Sequence, residues 1–176
     1  MSLFQRTVCV IQAMVLLVLM GCSTTPSTFS GSISKSKPPA AEAPHRPSPT
    51  SEKAKKAQEV TVYALGLVGT PYRFGGNTPD SGLDCSGLIV HVYRTVSGLI
   101  PPRTVARLQG WGQEMATSEL QTGDVVIFFT AGVASHAGIY VGENRFVHAP
   151  STGGRVRMGS LRSNYWKAKK IMVRRP

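Results

Sequence analysis

The run Val125-Val126-Ile127-Phe128-Phe129 constrains the chain most. These consecutive β-branched and aromatic residues follow Thr122-Gly123-Asp124, and they predict a strand buried on both faces. A second strand, His136–Val141, turns through Gly142-Glu143-Asn144 into a third, Arg145–His148. Residues 156–158 and 171–173 are weaker strand candidates. The preceding half has a different period. Val60, Val62, Tyr63, Leu65, Leu67 and Val68 follow Ser51, a candidate N-cap, and Gly69-Thr70-Pro71 stops that helix. Leu88, Ile89, Val92, Tyr93 and Val96 mark a second helix, beginning at Cys85 and ending at Gly98. Helices first and antiparallel strands after predict an α+β fold with the helices packed on the sheet.

The N-terminal segment reads differently. Arg6 precedes an apolar stretch from Val8 to Met20, broken only by Gln12. It is shorter than the roughly 20 residues that span a bilayer, and it matches the apolar region of a secretory signal peptide. Leu19-Met20-Gly21-Cys22 resembles the lipobox of bacterial lipoproteins. That resemblance implies a signal peptide over residues 1–21 and a lipid on the Cys22 sulfur. Ser23 stands where a retention Asp would be, which by analogy implies an outer-membrane anchor facing the periplasm. A short uncleaved membrane helix is the alternative. From Ser23 to Thr50, Ser, Thr and Pro fill 17 of 28 positions, so residues 22–51 are expected to form a disordered tether or spacer. The expected domain is 52–176.

The only cysteines are Cys9, Cys22 and Cys85, which excludes a disulfide-stapled scaffold and a four-cysteine zinc site. Cys9 leaves with the signal peptide and Cys22 becomes a thioether, so one thiol remains. Cys85 sits where a helix begins, where unpaired N–H groups and the helix dipole are expected to stabilise a thiolate. A cysteine nucleophile needs an imidazole to share its proton and a third group to orient that ring. His136 and His148 lie on partner strands of one hairpin and can be cross-strand neighbours if the register allows. His45 and His91 have no reason to meet Cys85 and are expected to be solvated. An inert core thiol, or a zinc site built on the cysteine and two histidines, is the bland competitor. Asp84 reads as a helix N-terminal anion. Gly75-Gly76 lacks the Lys and helix of a phosphate cradle, and is expected to let substrate backbone approach.

Taken together, Gly69-Thr70-Pro71-Tyr72-Arg73-Phe74-Gly75-Gly76, Asp84-Cys85-Ser86-Gly87-Leu88, Pro102-Arg103-Thr104, Leu120-Gln121-Thr122-Gly123-Asp124-Val125, Ser135-His136-Ala137-Gly138-Ile139-Tyr140-Val141 and Phe146-Val147-His148-Ala149 resemble the NlpC-type cell-wall cysteine peptidases. The resemblance implies a papain-like core with Cys85 as nucleophile, His136 as base and His148 as orienting group. It also implies that Tyr72 assists the developing oxyanion, together with the Cys85 N–H. Arg103 is a candidate substrate contact, with a structural role binding backbone carbonyls as its equal. The family often reads Arg-Thr-Ser-x-x-Gln, whereas Val105 follows Arg103-Thr104 here, so Gln109 inherits no role. No cofactor or metal is implied. The expected substrate is peptidoglycan, cut either at the D-alanyl–diaminopimelate cross-link or between D-glutamate and the diamino acid. A silent wall-binding lipoprotein and an acyltransferase on the same fold are the other classes.

Charge narrows the partners. The chain carries 20 Lys and Arg against 9 Asp and Glu, and no acid follows Glu143. Nucleic acid fits such a total but not an exported chain. Stem-peptide carboxylates, anionic lipids or plain solvent are the expected counterparts, and no oligomeric state follows from the pattern.

Overall fold

The computed structural model describes residues 49–176. The expected signal peptide, Cys22, His45 and the expected tether up to residue 48 lie outside the described residues. Helix α1 runs Pro49–Gly66, so Ser51 lies within its first turn instead of capping it. Two short strands, β1 (Asn77–Thr78) and β2 (Gly82–Leu83), lead into α2 (Cys85–Ser97), which Gly98 ends in a left-handed conformation. A one-turn α3 (Val105–Leu108) and β3 (Gln113–Met115) follow. Then come β4 (Val125–Thr130), β5 (Val133–Gly142), β6 (Arg145–His148), β7 (Arg157–Ser160), α4 (Asn164–Lys167) and β8 (Ile171–Arg175).

These strands form a six-stranded antiparallel sheet in the order β3-β8-β4-β5-β6-β7. β4 lies inside it, between β8 and β5, and Val125, Val126, Ile127 and Phe128 are fully buried. Strand alternation sends Val125 and Ile127 to one face, where they join Val60, Ala64, Leu88, Ile89 and Val92 from α1 and α2. Val126 and Phe128 go to the other face, with Tyr140, Phe146 and Trp166 of α4. The helices therefore cover one side of the sheet, and a smaller aromatic cluster covers the other. Each fully buried aliphatic or aromatic side chain contributes about 2 kcal/mol of transfer free energy.

Two expectations change here. Val62 faces solvent because only one stripe of α1 reaches the core, and Val68 is exposed in the turn beyond the end of α1. His91 is only partly solvated: its Nε2 lies 3.0 Å from the Tyr63 hydroxyl, and this hydrogen bond ties α2 to α1.

Candidate active site

Asp84 caps α2. Its Oδ1 accepts the Gly87 N–H at 2.7 Å, and Oδ2 accepts the Gly75 N–H at 2.9 Å. Arg103 grips the same carboxylate with two nitrogens, Nη1 to Oδ1 at 2.8 Å and Nη2 to Oδ2 at 2.7 Å. It also donates to the Gly76 carbonyl at 3.1 Å and the Ser86 hydroxyl at 2.7 Å. Burial alone would raise the Asp84 carboxyl; the bonds from Arg103, Gly87 and Gly75 outweigh it and hold the group below its ordinary value. Arg103 thus spends four donor contacts inside the protein. These contacts are those of a structural arginine, made chiefly to a carboxylate and only once to a backbone carbonyl.

The glycine loop has a structural reason as well. A Cβ on Gly87 would stand 2.0 Å from the Gly76 carbonyl oxygen, and one on Gly76 would stand 2.2 Å from that of Gly82. Chain packs on chain at Gly76 and Gly87, which the loop's own packing explains, whereas Gly75, at a φ of 76°, has open space where a Cβ would stand. This close packing holds the loop against the first turn of α2 and fixes Cys85 at the edge of the helix layer.

Cys85 is half-buried and free. Burial pushes its thiol up, and the Asp84 charge adds to that; the N–H groups of Ser86, Ala137 and Cys85 itself pull it back only partly. The expected thiolate is therefore overturned. A helix N-terminus does face the sulfur, but desolvation and the adjacent carboxylate win. The influence of the Ala137 N–H also locates the sulfur: it lies against β5 at the residue next to His136.

His136 and His148 meet. His136 Nε2 lies 2.9 Å from His148 Nδ1, with the rings perpendicular and their centroids 5.0 Å apart. The register pairs Ile139 with Val147, so one step further His148 faces Gly138 and reaches His136 on the diagonal. The direct cross-strand pairing considered from sequence does not occur. Gly138 makes the diagonal possible: a Cβ there would stand 2.7 Å from Phe146 Cδ2 and 3.3 Å from His148 Cβ. Burial, with Lys169 nearby, pushes His136 down to about 4. Burial, the neighbouring His136 and Arg157 push His148 down to about 3. Both rings are neutral at pH 7. His148 Nε2 is buried with no hydrogen-bond partner among the described residues.

Trp166 is the site residue that sequence reasoning missed. Its ring stacks on His136 with centroids 5.4 Å apart and 29° between planes, and meets His148 edge-on at 5.3 Å. It screens the histidine bond from water, which strengthens that bond. The only local signal was Ser163, which caps the four-residue α4 by accepting the Trp166 N–H. Tyr72 is half-buried and packs on the core. Its phenol is raised first by burial and then by the charges of Cys85 and Asp84, so it remains an O–H donor near the sulfur.

Helices packed on one face of an antiparallel sheet, a cysteine at a helix start and two histidines on neighbouring strands define a papain-like α+β domain. Residues 69–175 match the NlpC/P60 family, and the chain belongs to that family. It is 37% identical over 128 residues to murein DD-endopeptidase MepH of Escherichia coli K12, spanning 70% of this chain and 47% of MepH. It is 40% identical over 119 residues to the gamma-DL-glutamyl hydrolase of Bacillus subtilis 168, spanning 66% of this chain and 28% of that protein. The chain thus spans less than half the length of these curated relatives. Among solved structures, the NlpC/p60 domain of peptidoglycan hydrolase SagA superposes with a TM-score of 0.60 at 29% identity, covering 68% of this chain and 98% of that domain.

Proposed function

We propose that this chain is a lipid-anchored peptidoglycan hydrolase that cuts stem-peptide bonds through an acyl-enzyme on Cys85. The observation that carries the reading is the His136 Nε2···His148 Nδ1 bond of 2.9 Å, made from the strand whose Ala137 N–H acts on the Cys85 thiol. That bond occupies one nitrogen of His136 and leaves Nδ1 as the ring atom free to take the thiol proton. For Nδ1 to accept, Nε2 must carry the hydrogen and donate it to His148 Nδ1. His148 then orients the ring and stabilises the imidazolium as it forms.

Because thiol and imidazole are both neutral at rest, the proton moves as the sulfur attacks. The S–C bond forms, the Cys85 proton passes to His136 Nδ1, and the carbonyl oxygen becomes an oxyanion. The Cys85 N–H and the Tyr72 O–H are the donors proposed for it. Collapse breaks the C–N bond while His136 Nδ1–H protonates the leaving amine. Water then attacks the thioester, gives its proton to His136, and releases the carboxylate and the thiol. Two scissile bonds suit this chemistry, the D-alanyl–diaminopimelate cross-link and the D-glutamyl–diaminopimelate bond of one stem.

The anchor belongs to the same reading. Leu19-Met20-Gly21-Cys22 and Ser23 support lipidation at Cys22 and sorting to the outer membrane, with the domain facing the periplasm. Digesting purified sacculi with wild type and Cys85→Ala, followed by mass spectrometry of the fragments, tests the hydrolase. Wild type is expected to release muropeptides and Cys85→Ala none. Equal release by both removes the proposal in favour of a silent wall-binding module.

A further inference from the structure

A cavity of about 450 Å³ opens beside the histidine pair, with His136 and His148 in its wall. Arg157 and Lys169 are its charged lining residues, Ser135, Ser151 and Thr130 add hydroxyls, and no carboxylate lines it. Neither cation takes part in an ion pair among the described residues, where the pairs join Lys56–Glu59, Arg103–Asp84, Arg145–Glu143, Arg174–Glu114 and Arg175–Asp124. Lys169 Nζ donates to Thr130 Oγ1 at 3.0 Å and sits 4.7 Å from the centroid of the Tyr165 ring, which holds the ammonium in place without neutralising it. Both charges are felt at the catalytic pair, Lys169 at His136 and Arg157 at His148. Two uncompensated cations in a concave, hydroxyl-rich site fit an anion.

The position of the cavity says which part of a substrate that anion belongs to. The sulfur lies against Ala137, and the cavity lies where the side chains of Ser135, His136 and His148 reach. Trp166 stacks on His136 and also lines it. The acyl half of a substrate bonds to the sulfur, and the amine half receives its proton from His136. The cavity next to the histidines therefore takes the amine half.

We propose that Arg157 and Lys169 form a carboxylate subsite for the free α-carboxylate of the residue that supplies the leaving amine. The inference rests on the hydrolase reading above and decides between its two bonds. In the D-alanyl–diaminopimelate cross-link, the carbon bearing the leaving nitrogen also bears a free carboxylate. In the D-glutamyl–diaminopimelate bond of a stem that continues to D-alanine, the corresponding carboxyl is already an amide. The subsite therefore selects the cross-link.

The test uses the full chain and two purified substrates: a cross-linked muropeptide dimer, and the same dimer with the carboxylate beside the cross-link nitrogen converted to an amide. Wild type is expected to cut the free-acid dimer with at least tenfold higher kcat/KM, the scale of one charged hydrogen bond. Lys169→Met and Arg157→Met are each expected to lower kcat/KM on the free acid about tenfold more than on the amide, with the extra loss falling mainly in KM. Lys169→Arg is expected to restore most of the loss. Equal cleavage of the two dimers by wild type, or equal losses on both substrates in the variants, overturns the subsite while leaving the hydrolase intact. No cleavage of either dimer or of whole sacculi, with wild type matching Cys85→Ala, overturns the hydrolase reading itself.

Discussion

Arg103→Ala separates a structural arginine from a substrate contact. The Asp84 side chain is 10% exposed and that of Arg103 is 37%, so the pair lies between a buried and a surface ion pair. Breaking a buried pair costs about 3–5 kcal/mol, and an exposed one contributes under about 1 kcal/mol. Asp84 keeps its bonds from Gly75 and Gly87 in the variant, and water can replace the guanidinium from its open side. The expected loss is about 2–3 kcal/mol. With a urea slope of about 1.5 kcal/mol per molar, the midpoint falls by roughly 1.3–2 M. Arg103→Lys is expected to lose about half as much, because an ammonium cannot grip both carboxylate oxygens.

The pH dependence has a definite sign. In wild type the Asp84 carboxyl is held below its ordinary 3.8. Its stabilisation is fully present above that ordinary value and is lost as pH falls through the depressed one. The gap between wild type and Arg103→Ala should therefore be constant above about pH 5 and shrink at pH 3. Urea titrations at both pH values, with muropeptide kinetics at pH 7, decide the matter. An unchanged midpoint together with a raised KM refutes the structural assignment and makes Arg103 a substrate contact.

Cys85, protonated at rest, should react with iodoacetamide at a rate that climbs with pH through 9; a flat rate between pH 6 and 8 contradicts the thiol state described. The histidine pair should destabilise the fold as pH falls from 6.5 towards 4, because both rings are buried neutral and the unfolded chain binds the proton more readily. The first proton on the pair costs about 3 kcal/mol, and a His148→Gln variant should show a shallower decline in urea midpoint over that range. Gly138→Ala should cost about 1–3 kcal/mol by overpacking against Phe146 and the Val147 carbonyl. It should also reduce turnover by more than its stability loss accounts for, since β6 must shift and carry His148 with it; wild-type turnover would contradict the diagonal contact.

What could be read from the chain depended on how local the cause was. β4 was legible because β-branched and aromatic residues run unbroken after Gly123-Asp124, and β6 because the Gly142-Glu143-Asn144 turn precedes it. β3, Gln113–Met115, was not, since its polar residues pair only as an edge strand with β8. The meeting of His136 and His148 was legible from the hairpin, yet its diagonal form depended on register and on the missing side chain at Gly138. The state of Cys85 was misread because a helix terminus is visible in sequence, whereas burial and the orientation of Asp84 are not. Trp166 and Lys169 were hidden in a basic C-terminal stretch, and only the return of β8 beside β4 brings that stretch over the histidines.

The protonated resting sulfur also bears on how long the protein survives between substrates. Disulfide exchange and oxidation by peroxide both begin from the thiolate. A nucleophile that surrenders its proton only to an imidazole, and only as a carbonyl arrives, presents little of that form to stray oxidants. If Cys85 is the nucleophile proposed above, the Asp84 charge that disfavours its resting ionisation acts as a safety catch for a cysteine with no second thiol among the described residues.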